Sequence, residues 1–244
     1  MAERARHRLF VPDELAAGAA VVPTAEQAHY LLHVLRAKAG DGVRLFNGRD
    51  GEWQASIADA GKGRCRLVPA RRLREQTSES GPWLVFAPLK RARLDWLLEK
   101  ATELGVERLL PVVTERTVPE RINRQRLGAI AREAAEQCER LSVPEMAEPC
   151  GLAALLAEWP AARALLWADP SPRVPPAMAV LDGLESPLAL LIGPEGGFSS
   201  DERGLLAARP FVRPCGLGPL VLRAETAALA GLTLIQAWCR GRHS

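Results

Sequence analysis

No stretch of this 244-residue chain approaches the roughly 20 consecutive apolar residues that cross a bilayer, or the apolar centre of a secretion signal, so the expected location is the cytoplasm. Cysteine is sparse and scattered: Cys65, Cys138, Cys150, Cys215 and Cys239 form no CxxC pair. An odd, dispersed set fits reduced thiols better than a disulfide framework and offers no structural zinc site, so no metal is expected. His29 and His33 stand at i, i+4, but no glutamate follows His29, which removes the HExxH zinc-protease reading and leaves packed or surface histidines. A GxxxxGK[ST] loop is missing too, and with it the main support for triphosphate hydrolysis. Net charge is only +3 and says little about partners. What is present, 48% apolar and 25% charged residues, suffices for a real core in one large or two small domains.

The charge is unevenly placed. Residues 1 to 82 carry 13 Lys+Arg against 10 Asp+Glu, and the remainder carries 19 of each. Lys62, Arg64, Arg66, Arg71, Arg72 and Arg74 follow one another without an acid, a run that suits a phosphate backbone and equally suits solvated strands and a linker. From Arg8 to about Pro69 the apolar runs are short and alternating (Val43 to Phe46, Trp53 to Ile57, Cys65 to Val68), with GD, NG and DG turn signals between them. They predict a small β-rich domain, interrupted by one helix over Glu26 to Lys38 with a stripe of Ala28, Leu31, Leu32 and Leu35.

RRLREQTSESGP, Arg71 to Pro82, lacks hydrophobic periodicity and ends in Gly-Pro, as a linker would. Strand and helix then alternate. Strands are expected at Trp83 to Ala87, Val106 to Val113, Ala164 to Ala168 and Leu188 to Ile192, and helices at Leu94 to Leu104, Arg124 to Cys138 and Glu225 to Arg240. Such alternation implies an α/β fold with a mostly parallel sheet, whose ligands sit at the C-terminal ends of strands.

Two loops there stand out. GPEGGF, Gly193 to Phe198, follows an apolar strand and precedes a capping box, Ser199 to Glu202, so its glycines can bring backbone close to a ligand; an ordinary strand-to-helix turn would look the same. LGPLVLRAETAA, Leu217 to Ala228, leads through Arg223 and Glu225 into a helix of small residues. Gly216 and Gly218 do not complete a dinucleotide fingerprint, because Val221 replaces the third glycine.

Six stretches carry a family likeness: RHRLFVP (Arg6 to Pro12), HVLR (His33 to Arg36), KRARLDWLLEKATELGV (Lys90 to Val106), EAAEQCERLSVPE (Glu133 to Glu145), LLIGPEGGF (Leu190 to Phe198) and LGPLVLRAETAAL (Leu217 to Leu229). In this order and combination the chain resembles the bacterial 16S rRNA uridine-N3 methyltransferases of the RsmE type, within the SPOUT superfamily.

The resemblance implies a PUA-like RNA-binding β-barrel over residues 1–72, a linker over 73–82, and over 83–244 an α/β SPOUT domain with a deep trefoil knot. It implies S-adenosylmethionine as cofactor, 16S rRNA or the small ribosomal subunit as partner, and a homodimer that completes the substrate site. The cofactor residues it assigns are Leu166 and Ala168 in the first knot loop and Ile192, Gly193, Glu195 and Gly197 in the second. In the third they are Leu217, Gly218, Leu222, Arg223, Thr226 and Ala227.

Uridine N3 must lose its proton, so negative charge spreads onto the neighbouring carbonyls; Arg223 is the expected cation for that charge and Glu225 a base or orienting group. The plainer alternative is a helix-start carboxylate paired with an arginine. RNA contacts are expected at Arg8, Arg36, Lys90, Arg91 and Arg140. The family often carries a basic residue where this chain has Leu220, which removes one substrate contact. Trp96, Trp159 and Trp167 are expected in core or interface packing, and Ala227, Ala228, Ala230 and Gly231 permit close helix packing compatible with a dimer. No base is placed to activate Cys138 or Cys215. The rival readings are a related SPOUT enzyme on another RNA and a non-enzymatic RNA-binding protein, the latter with no use for two glycine-rich loops.

Overall fold

In the computed structural model, which describes residues 7–61, 63–77, 79–117 and 122–242, the short alternating runs become one sheet. Lys62 of the basic run lies outside the described residues. Strands β1 (Arg8–Phe10), β2 (Gly42–Phe46), β3 (Glu52–Gly61) and β4 (Arg64–Arg74) lie in that order, β1 parallel to β2 and the rest antiparallel, and Val21 bridges Leu67 of β4. Alternate residues (Val43 and Leu45, Trp53, Ala55 and Ile57, Cys65 and Leu67) face one core.

The chain divides into two compact units, Met1–Glu79 with Ala135–Val143, and Ser80–Ala134 with Pro144–Ser244. The linker expected over 73–82 therefore differs from what is observed. β4 runs to Arg74, and Glu79 accepts hydrogen bonds from the Leu141 and Ser142 amides at 2.9 and 3.0 Å. Burial opposes ionisation of Glu79, yet the Ser142 hydroxyl, these two amides and the Arg140 charge together hold its carboxyl below the usual range. A polar segment without periodicity was tied down by its side chains, which hydrophobic patterning cannot show.

The helix expected over Glu26 to Lys38 is also shorter. A Thr24–Gln27 capping box starts α1 (Ala25–His29), but a π-helical turn follows over Tyr30–Val34, with Leu35 N–H donating to Tyr30 O at 2.9 Å, and Arg36 ends it at φ 55°. The wider turn keeps Leu31 buried with Leu32, Leu35 and Ala37 packed on the same core.

Arg8 corrects a second expectation. It is 6% exposed, its Nε donates to Glu52 Oε1 at 2.5 Å, its Nη1 to Ala135 O at 2.7 Å and its Nη2 to Arg140 O. Its guanidinium lies 3.6 Å from the Phe46 ring centroid. Burial depresses its pKa, with the Glu52 hydrogen bond and charge working the other way. Arg140 is likewise buried, with its Nη2 on Ser142 Oγ at 3.1 Å and its Nε 3.6 Å from Glu79. Both arginines are internal struts of the first unit rather than RNA contacts.

The second unit is a seven-stranded, wholly parallel sheet. Its strands are β5 (Trp83–Phe86), β6 (Arg108–Val113), β7 (Glu145–Met146), β8 (Cys150–Gly151), β9 (Ala164–Ala168), β10 (Leu188–Ile192) and β11 (Val212–Cys215). The order is β11-β9-β10-β5-β6-β7, with β8 also on β6. The helices are α2 (Arg91–Glu103), α3 (Arg124–Gln137), α4 (Leu152–Ala157), α5 (Ala177–Leu181), α6 (Ser200–Ala207) and α7 (Ala224–Arg242). Alternate strand residues serve opposite layers. Leu84, Phe86, Leu166, Leu188, Leu190 and Ile192 pack with residues of α2, α3, α5 and α7, whereas Val85, Leu165, Trp167, Ala189 and Leu191 pack with residues of α4 and α6. This is why LALLI reads as a continuous apolar run.

The TELGV sequence has a local reason. α2 ends in a Schellman motif: Gly105 N–H bonds Thr102 O at 3.0 Å and Val106 N–H bonds Ala101 O at 3.1 Å, with Gly105 at φ 73°. Gln236 of α7 donates to the remaining Leu104 carbonyl at 2.6 Å, fastening α7 to α2.

Replacing Arg8 tests its buried role. Among the described residues, Arg8→Ala leaves buried Glu52 with Arg44 at 3.7 Å and Arg74 at 3.9 Å. It should cost about 3–5 kcal/mol in urea unfolding, while exposed Arg36→Ala should change stability by about 0.5 kcal/mol or less. Equal effects would contradict the assignment.

Candidate functional site

Three C-terminal strand ends meet because β11, β9 and β10 are neighbours in the sheet. Adjacent parallel strands are about 4.8 Å apart, so the loops they release fall within roughly 10 Å of one another. The first loop begins at Asp169, whose amide bonds Cys215 O at 3.0 Å; the second is Gly193 to Phe198; the third runs from Gly216 into α7. Together with Arg116 and Arg203 they line a cleft of about 520 Å3. A cleft of this size and mainly apolar lining suits one small-molecule ligand.

Each loop is held differently. Asp169 is buried, accepts the Ser171 amide at 3.1 Å and pairs with Arg203 Nη2 at 2.6 Å, while the same guanidinium lies 4.8 Å from the centroid of Trp167. In the second loop Gly193 meets the Phe198 ring so closely that a Cβ would lie 2.7 Å from it, and Gly197, at φ 67°, donates to Pro194 O at 2.8 Å. Glycine is required there by space at one position and by backbone hand at the other. The capping box of α6 is formed, and Glu202 also accepts the Glu115 amide at 2.8 Å, which brings Arg116 Nη1 onto Gly196 O at 2.8 Å. The third loop is pinned where Gly216 exchanges backbone hydrogen bonds with Pro175 and Ala177, both at 2.9 Å.

Ten of the twelve residues assigned to the cofactor line this cleft: Ala168, Ile192, Gly193, Glu195, Gly197, Leu217, Gly218, Leu222, Arg223 and Ala227. Leu166 does not. Its side chain points from β9 into the core layer opposite to Trp167 and is 1% exposed. Thr226 is exposed on α7 and outside the lining. Arg223 lines the cleft, is exposed and has no ion pair among the described residues.

Glu225 does not reach the lining and is not paired with Arg223. Its Oε1 lies 3.8 Å from Nε of Arg93, and its Oε2 is buried without a hydrogen-bond partner among the described residues. Asp169 closes the first loop expected to hold the cofactor, Leu166 to Asp169, whereas Arg93, Arg116 and Arg203 are not among the expected site residues. Arg93 lay inside the KRARLD match; the others carry no local signal, since long-range pairs bring them to the site.

Of the RNA-contact candidates, Arg36, Lys90 and Arg91 are exposed, whereas Arg8 and Arg140 are not. Trp159 and Trp167 are core residues, but Trp96 is 41% exposed. Burial first and the Asp169 charge second push the Cys215 thiol up to about 12; burial also raises Cys65, Cys150 and Cys239. Among the described residues no cluster of three metal-ligating side chains occurs, and no helix is long and apolar enough to cross a membrane.

A wholly parallel α/β unit with a cleft at its strand ends, on the same chain as a small β unit, has room for one cofactor-sized ligand. An RNA methyltransferase domain profile matches residues 78–236 and an RNA methyltransferase PUA domain profile matches residues 23–70. The ribosomal RNA small subunit methyltransferase E of Synechocystis sp. is 34% identical, over 95% of this chain and 77% of its own length. That of Rickettsia conorii is 30% identical over 94% and 95%. The crystal structure of the Neisseria gonorrhoeae protein of the same name, bound to S-adenosyl methionine, superposes with a TM-score of 0.83 at 25% identity, over 95% of this chain and 97% of that one. The chain belongs to the ribosomal RNA small subunit methyltransferase E family, as its motifs suggested.

The thiol assignment is open to direct measurement. At about pH 8.5, where an ordinary thiol is half ionised, iodoacetamide should leave Cys215 unlabelled in the native protein and label it in urea. A thiol whose folded pKa is raised contributes stability below the unfolded value and loses it as pH rises toward the folded one, so the unfolding midpoint should fall above about pH 8.5. Native labelling of Cys215 would contradict its burial.

Proposed function

We propose that this chain transfers the methyl group of S-adenosylmethionine to N3 of one uridine in 16S rRNA, on the small ribosomal subunit, as a cytoplasmic homodimer whose cofactor domain is knotted. The observation that carries the reading is the convergence of three strand-end loops on one cleft with Arg223 exposed at its wall.

The residues fit the cofactor. Backbone of Gly193, Gly197 and Gly218 is open to a purine edge and amino-acid moiety, while Ile192, Leu217 and Leu222 offer apolar cover for ring and ribose. When bound, the cofactor supplies a methyl carbon on a positively charged sulfur; the N3 electron pair forms the new C–N bond, the C–S pair stays on sulfur, and the N3 proton leaves. Such a transfer needs alignment more than acid or base strength, which suits a cleft built of anchored loops. Arg223 stabilises the negative charge on the uracil carbonyls, and Glu225, set back from the lining, orients or receives the proton. Arg36, Lys90 and Arg91 hold RNA phosphates.

Purified protein, labelled S-adenosylmethionine, and either 16S rRNA or 30S particles from a strain lacking the activity, followed by mass mapping, tests the assignment. Label at one uridine N3 is expected. Label confined to tRNA or another base replaces the substrate, and absence of both transfer and cofactor binding favours a non-enzymatic RNA-binding protein. Arg223→Ala should slow single-turnover transfer by about a hundredfold to a thousandfold, and near-normal transfer would remove its role. Lys90→Ala or Arg91→Ala should weaken RNA binding and reduce the salt slope by about 1 each; an unchanged slope rejects that residue as a phosphate contact.

A further inference from the structure

The Arg93 cation is unused by this scheme, and it joins two carboxylates at the cleft wall. Arg93, in the first turn of α2, places its guanidinium between carboxylates from two different loops: Nη1 donates to Glu195 Oε1 in GPEGGF, and Nε stands 3.8 Å from Glu225 Oε1 in the first turn of α7. Glu195 lines the cleft, and Glu225 sits two residues from Ala227 and two from Arg223, both of which line it. The guanidinium is planar with five donors and can serve two carboxylates on separate edges at once.

The stability such a half-exposed pair contributes is small, about 0–1 kcal/mol. Its placement matters more. The second loop has glycine on both sides of the Pro194–Glu195 pair, and besides the Arg116 bond to Gly196 O its side-chain tie among the described residues is the Glu195 carboxylate. Without a cation the two acids would repel, and the loop and the α7 start would separate. Misplacement of a reacting group by about 1 Å costs a rate factor of roughly a hundred.

We propose that Arg93 is a positioning residue that clasps the GPEGGF loop to the first turn of α7, fixing the width of the cleft and the placement of the Glu225 carboxylate. The inference rests on the methyltransferase reading for its consequence in rate, but not for the clasp. Two amides report the clasp directly in the ligand-free protein: Gly197 N–H, bonded to Pro194 O at 2.8 Å, and Ala227 N–H, bonded to Arg223 O at 2.8 Å.

Hydrogen exchange followed at these two amides in Arg93→Gln should accelerate at both by roughly fivefold, the loss of one surface ion-pair network. Exchange in the sheet should not change, and Arg93→Lys should recover part of the effect. Glu195→Gln should accelerate Gly197 alone. In the Glu195→Gln, Glu225→Gln double variant, adding Arg93→Gln should then change neither amide further. Single-turnover methyl transfer by Arg93→Gln should fall about a hundredfold, again with partial rescue by lysine. Unchanged exchange at either amide, or an unchanged transfer rate in an enzyme whose wild type is active, overturns the proposal. If the wild type transfers no methyl group, the functional reading fails instead, and the exchange measurement still decides whether the clasp exists.

Discussion

Burial of β10 on both faces governs where everything else can be. Leu188, Leu190 and Ile192 enter one helical layer, Ala189 and Leu191 the other, and all five are 3% exposed or less. A strand with one polar face would have its register set by the cost of wetting the wrong side. With two apolar faces that control is lost, and shape has to replace it. Gly231 supplies it: a Cβ there would lie 2.7 Å from Leu190 Cδ2, so α7 can seat on β10 at this level only because the side chain is missing. The first turn of α7 carries Glu225 and follows Arg223, so the placement of the cleft's charged groups is a consequence of core packing.

Arginine does opposite work at two depths. Arg8 is desolvated, and the energy lost from water is offset only by a full set of partners: one carboxylate, two carbonyls and a ring face. Such a group is committed to structure. Arg203 is half committed, shared between Asp169 and the Trp167 ring. Arg223 is exposed and has no ion pair among the described residues, so its charge is available to a ligand. Residue type alone does not separate Arg8 from Arg223; burial does, making one a strut and leaving the other open to solvent.

This also explains how much could be read from the chain beforehand. β9, β10 and the strand-to-helix loops were legible because apolar runs bounded by glycine have few alternatives, and the expected bounds of β9 and β10 agree with those observed. The loop residues of the cleft followed from the same pattern plus family motifs. The Leu166 side chain lies off the cleft because a motif names a strand end without saying which face a side chain takes, and period 2 puts Leu166 opposite to Trp167. Arg8 and Arg140 were misjudged because their partners, Glu52, Ala135, Glu79 and Ser142, are distant or polar, and no periodicity records such pairs. The π-turn at Tyr30–Val34 kept its apolar stripe and changed only its hydrogen bonding. Arg93, Arg116 and Arg203 belong to the same class of omission: each acts through a residue about 34 to 102 positions away.

The cleft's scarcity of acid–base machinery is consistent with how its loops are fastened. Its first loop is held by a buried carboxylate with an arginine, its second by Arg116 on a carbonyl and Arg93 on Glu195, its third by backbone exchange at Gly216. None of these ties uses a group that must change protonation for the proposed reaction. A reaction whose barrier is set mainly by alignment gains from such fixed contacts, because each removes a motion that the reacting atoms would otherwise have to overcome. The stretch from Pro219 to Leu222 contrasts with them: Leu220 and Val221 are 77% and 82% exposed, while Gly216 behind them is anchored and Ala224 ahead of them is buried. The third loop is therefore stiff at both ends and unsupported at its tip, and Arg223 stands at the boundary between the two. A cation placed there keeps the position of its backbone, which the helix fixes, and the reach of its side chain, which nothing in the described residues restrains.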